Sequence, residues 1–259
     1  MEQDNGAGSV LGPYLFAAFI STLRIVDQQH SRLIKYADDL TLVESIPRTG
    51  TSASSLDLII AWCDNNKMVL NRRKCQQMLI CRSKRQTLHP HKDIDISNSI
   101  KILGITLTSN LTWTVHFDNV LLSAFRRLHI LRSLKPIIPK EKLLEVYRGS
   151  VLSLLLYASP VFGPLSDSIV SKMEKLTKRA HRIICNPSCS CTALPSITEL
   201  RKNLACSLLL KCELPTHPLH SFVPQRLPCS KKFRIPVCLT TRRLKSFFPH
   251  TCILANQEI

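Results

Sequence analysis

Tyr36-Ala37-Asp38-Asp39 stands between two short apolar runs, Leu33-Ile34 before it and Leu40, Leu42 and Val43 after it. Runs of that length around two acidic residues predict a tight β-hairpin with the aspartates at its turn. Such a turn projects two carboxylates into one small volume, where like charges repel unless a cation holds them. A pair of divalent ions clamping a phosphoryl transfer is the chemistry that wants this arrangement. Asp-Asp is also ordinary turn material, so the pair alone leaves both readings open.

A chain of 259 residues can bury one large core or two modest ones. Its 44% apolar and 20% charged residues suit a globular protein rather than a disordered tail. The net charge of +17 is unevenly placed. Residues 1–120 carry 13 Lys+Arg against 11 Asp+Glu, a net of +2, whereas residues 121–259 carry 22 against 7, a net of +15. A segment that positive either faces a polyanion, nucleic acid before acidic membrane, or presents a solvated basic surface. The 11 cysteines are odd in number and lie in apolar contexts such as Ile60-Ala61-Trp62-Cys63. The acidic N-terminus, Met1-Glu2-Gln3-Asp4-Asn5, has no secretory apolar region. Reduced thiols in an intracellular protein of nucleus or cytoplasm are therefore expected, not a secreted disulfide framework. Residues 149–166 are uncharged, but Pro160, Gly163 and Pro164 interrupt them, so no membrane partner is expected.

Pro13 suits a first helical turn, and Leu15, Phe16, Phe19, Ile20 and Leu23 follow it at helical spacing. After the Asp-Asp hairpin, residues 51–66 predict a helix with Leu56, Ile59, Ile60 and Cys63 on one face. Met78-Leu79-Ile80-Cys81 reads as a strand, and Ile94, Ile96, Ile102, Leu103, Ile105 and Leu107 as a second hairpin around Asn98-Ser99. From about residue 112 the pattern turns helical, with helices expected over 113–134, 140–158, 166–184 and about 197–212. The third has an apolar stripe of Ile169, Met173, Leu176, Ala180 and Ile183 beside a basic stripe of Lys172, Lys175, Arg179 and Arg182. Six prolines from Pro215 to Pro249 predict an irregular end. The fold class is thus α+β.

Several segments in order resemble the reverse transcriptase of non-long-terminal-repeat (LINE-type) retrotransposons, in its C-terminal part. Gly8-Ser9-Val10-Leu11-Gly12-Pro13-Tyr14-Leu15-Phe16 resembles motif B, and Tyr36-Ala37-Asp38-Asp39 matches motif C. Trp62, Met68-Val69-Leu70-Asn71 and Lys74 are similar to motif D. Leu103-Gly104-Ile105 with Leu111-Thr112-Trp113 resembles motif E. Leu128 to Leu134, Tyr147, Tyr157 and Lys178 to Ile184 resemble the thumb. The resemblance covers roughly residues 8–255 and implies a partial palm over 1–111, a helical thumb over 112–212 and a Pro-rich C-terminal segment over 213–259.

It also implies two-metal copying of an RNA template from a DNA primer. Asp38 and Asp39 would hold Mg²⁺, with Asp38 making the main contacts, and Lys74 would protonate the departing pyrophosphate. Gly8, Ser9, Gly12, Pro13, Tyr36 and Ala37 would line the nucleotide and template site, with Leu103 and Gly104 gripping the primer end. Lys74 also belongs to an Arg72-Arg73-Lys74 run, for which plain solvation is an equal reading. Two departures stand against full activity. Gly6-Ala7 replaces the Pro-Gln that the family places before Gly-Ser, and Ala7 has no amide to offer. In the family, fingers and an aspartate-bearing motif A precede motif B, whereas seven residues precede Gly8, and neither Asp4 nor Asp27 is a credible substitute. The expectation is a truncated polymerase with an incomplete, weak Mg²⁺ site, inactive alone unless another chain supplies the missing fingers. The alternative is a non-catalytic nucleic-acid-binding module acting through Lys172, Lys175, Arg179 and Arg182. Zinc is not expected, because His181, Cys185, Cys189 and Cys191 lack the usual two-pair spacing.

Overall fold

Pro13 fixes the first turn of a helix, and the apolar residues after it give that helix a face to bury. The computed structural model, which describes residues 10–25, 30–45, 53–81, 91, 94–185 and 194–257, forms α1 there (Gly12–Ser21). The hairpin follows as β1 (Ser31–Tyr36) and β2 (Asp39–Glu44), with Leu33 opposite Leu42 and Lys35 opposite Leu40. Next comes α2 (Ala53–Asn65). Ile20, Leu23, Ile59 and Cys63 make a small core, partly covered by Phe16, Leu33, Leu40, Leu42 and Trp62. Strand side chains alternate between faces, so Ile34, Tyr36 and Val43 fall on the other face and stay more than half exposed.

Two expectations fail further along. Met78–Cys81 forms no strand; pairing is confined to β3 (Gln76–Gln77) and β4 (Asp95–Ile96), which run parallel. The Gln77 side chain holds that pairing by donating to the carbonyls of His91 and Ile94 and accepting from the His91 N–H. With β4 spent on β3, the second hairpin is β5 (Ser99–Ile102) against β6 (Ile105–Thr108). Its turn is Leu103-Gly104, not Asn98-Ser99. Both turn residues have positive φ, 46° and 83°, as a type I′ turn demands, and Gly104 meets that demand without strain.

The chain divides into two compact units, residues 1–112 and 113–259. The second is helical. It comprises α3 (Thr114–Leu134), α4 (Lys140–Val146), a π-helical stretch (Tyr147–Leu152), α5 (Ser153–Leu156), α6 (Asp167–Ile184) and α7 (Ile197–Cys212). The helix expected over 140–158 thus runs without a gap from Lys140 to Leu156, its middle widened into the π-helical stretch. Gly149 weakens the helix, and the hydroxyls of Ser150 and Ser153 bond back to the carbonyls of Val146 and Gly149. Arg127 of α3 donates to the Ser150 carbonyl and so satisfies an acceptor in the widened turn. Phe117, Leu128, Leu131, Met173 and Leu176 are all at most 2% exposed and centre the core.

The segment expected to be irregular contains α8 (Thr241–Leu244) and α9 (Phe247–Asn256). Pro249 falls in the first turn of α9, where a missing N–H breaks no intrahelical bond. Cys252 of α9 packs with Leu209 and Phe233. Asn256 locks this arrangement, its Oδ1 accepting from the Phe233 N–H at 2.7 Å and its Nδ2 donating to the Phe233 carbonyl at 3.0 Å. The architecture is α+β, and no helix among the described residues is long and apolar enough to cross a membrane.

Candidate functional site

Tyr36 pairs with Asp39, so the turn of the first hairpin is only Ala37-Asp38. Among these four residues Ala37 alone has positive φ, at 49°. That is the φ pattern of a type II′ turn, whose first central position favours glycine. An alanine there carries roughly 1–2 kcal/mol of backbone strain. Asp38 lies in the turn and Asp39 begins β2, and both are exposed. The two carboxylates thus sit on consecutive residues at the end of a strand pair, which positions them better than a free loop would.

Lys35 anchors that end from below. It lies on the packed face of the hairpin, and its Nζ donates to the Ile20 carbonyl at 2.7 Å and to the Leu23 carbonyl. Both acceptors lie at the end of α1, where carbonyls run out of intrahelical partners and a cation opposes the helix dipole favourably. Burial, with help from nearby Arg24, pushes the ammonium pKa below its ordinary value. Sequence reasoning passed over Lys35. Its signal was present, since a lysine two residues after Leu33 falls on the apolar face by alternation.

Gly12 and Pro13 occupy the first turn of α1, whereas Gly8 and Ser9 lie outside the described residues. Lys74 is exposed in a turn that its own N–H closes on the Asn71 carbonyl at 3.0 Å, and no ion pair joins it to Asp38 or Asp39. Leu103 and Gly104 form the tip of the second hairpin, with Leu103 exposed. Among the described residues, no three His, Cys, Asp or Glu side chains group as metal ligands. Two exposed adjacent carboxylates fit one side of a divalent-ion site, because Mg²⁺ keeps several waters and draws its other oxygens from substrate or further carboxylates. Cys189 and Cys191 lie outside the described residues.

In the second unit Lys172, Lys175, Arg179 and Arg182 are all exposed along α6. The stripe is not uniform. Lys172 Nζ pairs with Asp118 of α3 at 3.4 Å. At the other end, Arg179, Arg182 and Ile183 join Arg132 and Lys135 around an open cleft of about 280 Å³ whose lining includes no carboxylate. Arg132 and Lys135 were missed from sequence, although both stand at the end of the helix expected over 113–134.

Comparison with known proteins places these features in context. Residues 6–107, which include both hairpin tips and Lys74, match the family model for reverse transcriptase (RNA-dependent DNA polymerase). The chain is 29% identical over 197 residues to the RNA-directed DNA polymerase from mobile element jockey of Drosophila melanogaster, covering 68% of this chain and 21% of the relative. It is 27% identical over 198 residues to the probable RNA-directed DNA polymerase from transposon BS of the same organism, covering 68% and 22%. The chain therefore spans about a fifth of the length of these curated relatives. No solved structure matches it. The likeness drawn from the motifs, to a reverse transcriptase of LINE-type mobile elements, is supported by the family match and by both relatives.

Proposed function

We propose that this chain is the part of a non-long-terminal-repeat retrotransposon reverse transcriptase that carries the end of the palm (1–111), the thumb (112–212) and a C-terminal segment (213–259). The Asp38-Asp39 pair on a two-residue hairpin turn, inside the stretch matched by the family model, carries this reading. Divalent ions bound there would supply charge neutralisation at a transferring phosphoryl group and activation of a primer 3′-hydroxyl. The chain's residues do the positioning. Asp38 acts as the principal carboxylate ligand and Asp39 as the second, while Lys35 holds the hairpin on the end of α1. Lys74 donates a proton to departing pyrophosphate once substrate brings the two together. Gly8, Ser9, Gly12, Pro13, Tyr36 and Ala37 border the nucleotide and template, and Leu103 with Gly104 meets the primer end. RNA template and DNA primer are the partners.

Among the described residues no third His, Cys, Asp or Glu groups with Asp38 and Asp39, whereas positioning two ions takes more ligands than two adjacent side chains offer. The isolated chain is therefore expected not to extend a primer, and to need a companion segment that supplies a further carboxylate. Primer extension on an RNA template with Mg²⁺ or Mn²⁺ tests this. Incorporation by the purified chain that disappears in Asp38→Ala overturns the expected inactivity but supports the site. Incorporation that survives Asp38→Ala removes the site itself. A second reading, nucleic-acid binding without catalysis, is favoured by the net charge of +15 over residues 121–259.

A further inference from the structure

We infer that the second unit takes hold of a nucleic-acid backbone in the cleft between the ends of α3 and α6, through Arg132, Lys135, Arg179 and Arg182, and not along the whole basic stripe of α6. The inference rests on the nucleic-acid reading above and specifies which residues carry it. Asp118 near the start of α3 meets Lys172 near the start of α6, and Arg132 near the end of α3 meets Arg182 near the end of α6. The two helices therefore run the same way side by side. One end of their seam is neutralised by an ion pair, and the other gathers four cations with no acid in the lining.

Charge and chemistry both favour phosphate at the open end. Two helix C-termini contribute roughly half a negative charge each, against four full positive charges, so the cleft remains strongly positive. Three of the four cations are arginines, whose planar forks bond phosphate oxygens two at a time. All four are exposed, so a phosphodiester can reach them without any rearrangement of the helices. Lys172, by contrast, faces the Asp118 carboxylate, whose negative charge offsets its own and repels a phosphate there. From Lys172 to Arg182 the helix rises roughly 15 Å, enough to separate a spent end from an available one.

The test is binding of the full chain to duplex DNA at stepped salt concentrations, read by fluorescence anisotropy, with poly-glutamate as a competitor. The R132Q/K135Q/R179Q/R182Q variant should flatten the plot of log K against log salt by about 2–4, since each neutralised phosphate contributes about 0.9. R132Q/K135Q, confined to α3, should remove about half of that change. K172Q should leave the slope as it is in the parent chain. Circular dichroism melts establish that each variant is folded, and the α3 pair alone decides the matter if the fourfold variant is not. An unchanged slope in the α3 pair, or a K172Q slope as flat as the fourfold variant's, overturns the cleft while leaving nucleic-acid binding intact. A parent chain that binds no DNA, or binds poly-glutamate equally well, overturns the nucleic-acid reading itself.

Discussion

Residues 1–112 and residues 113–259 are built on opposite principles. Among the described residues, buried apolar side chains number five in the first unit and twenty-one in the second. The first leaves Ile34, Tyr36 and Val43 open on one face of a two-stranded hairpin, whose stability rests on packing its other face against the small core of Ile20, Leu23, Ile59 and Cys63. The second closes its core from several sides and carries +14 of the net charge of +17. The candidate chemistry thus sits on the thin scaffold and the cohesion on the thick one. Each unit should answer mutation on its own terms.

The largest effect that sharpens this contrast is expected at Phe117, which is 2% exposed and packs edge-on against Phe162 at 4.9 Å between ring centres. Phe117→Ala should destabilise the second unit by about 3–5 kcal/mol in denaturant unfolding. If signals from Trp62 shift by the same amount, the units do not unfold separately and the contrast breaks. Asn256→Ala strips both backbone bonds from Phe233, itself 2% exposed, and should cost about 1–3 kcal/mol in the same unit. Lys35→Met carries the comparison to the first unit. It removes two charge-assisted bonds to the end of α1, and a loss of about 1–2 kcal/mol is expected because relief from desolvation offsets part of it. Hydrogen exchange at the Thr41 and Val43 amides, which face β1 at hydrogen-bonded positions of the ladder, reads that loss directly, and unchanged protection would show that Lys35 is not an anchor.

How much of this was legible depended on whether local pattern and long-range packing agreed. The first hairpin followed from the runs around Asp38-Asp39, and α6 and α7 followed from their apolar spacing almost to the residue. The second hairpin was displaced because Ile94 and Ile96 look like strand on pattern alone, while β4 is drawn to β3 by a glutamine side chain that no propensity encodes. The π-helical widening within the helix expected over 140–158 goes with serines bonding backward and an arginine supplied by α3, a tertiary event. At the candidate site, Asp38 and Asp39 announced themselves by adjacency. Lys35 did not, because a charge on an apolar face looks like noise until its carbonyl partners are known. The same holds for the cleft, where Arg132 gains meaning only beside Arg182.

Backbone strain offers a smaller probe of the first unit. Ala37→Gly relaxes a φ of 49° that glycine adopts freely, against the entropy that glycine adds to the unfolded chain. The net should be a gain of about 0.5 kcal/mol in hairpin stability, visible as slower exchange at the Tyr36 and Asp39 amides. Faster exchange would mean that the turn draws its shape from alanine packing and not from φ.

The smallest effect is electrostatic and belongs to the second unit. His250 of α9 is partly buried, and burial, with Arg201 nearby, lowers its pKa below the ordinary value of 6.5. Arg201 is itself partly buried, its pKa lowered by that burial to about 10, and its guanidinium donates to Ser159 Oγ and the Gly163 carbonyl rather than to an acid. In the unfolded chain His250 takes a proton near pH 6.5, while the folded chain resists that proton until lower pH. Between those values the unfolded state binds more protons, so stability must rise with pH there and fall as pH drops through 6.5, levelling off below the folded value. His250→Gln should remove that part of the slope while leaving the carboxylate-driven loss at lower pH untouched. Melting temperatures of both proteins from about pH 7.5 to about pH 5.5 make the comparison. Parallel curves would place the acid sensitivity elsewhere, for only the parent chain should steepen as the imidazole begins to titrate against its guanidinium neighbour.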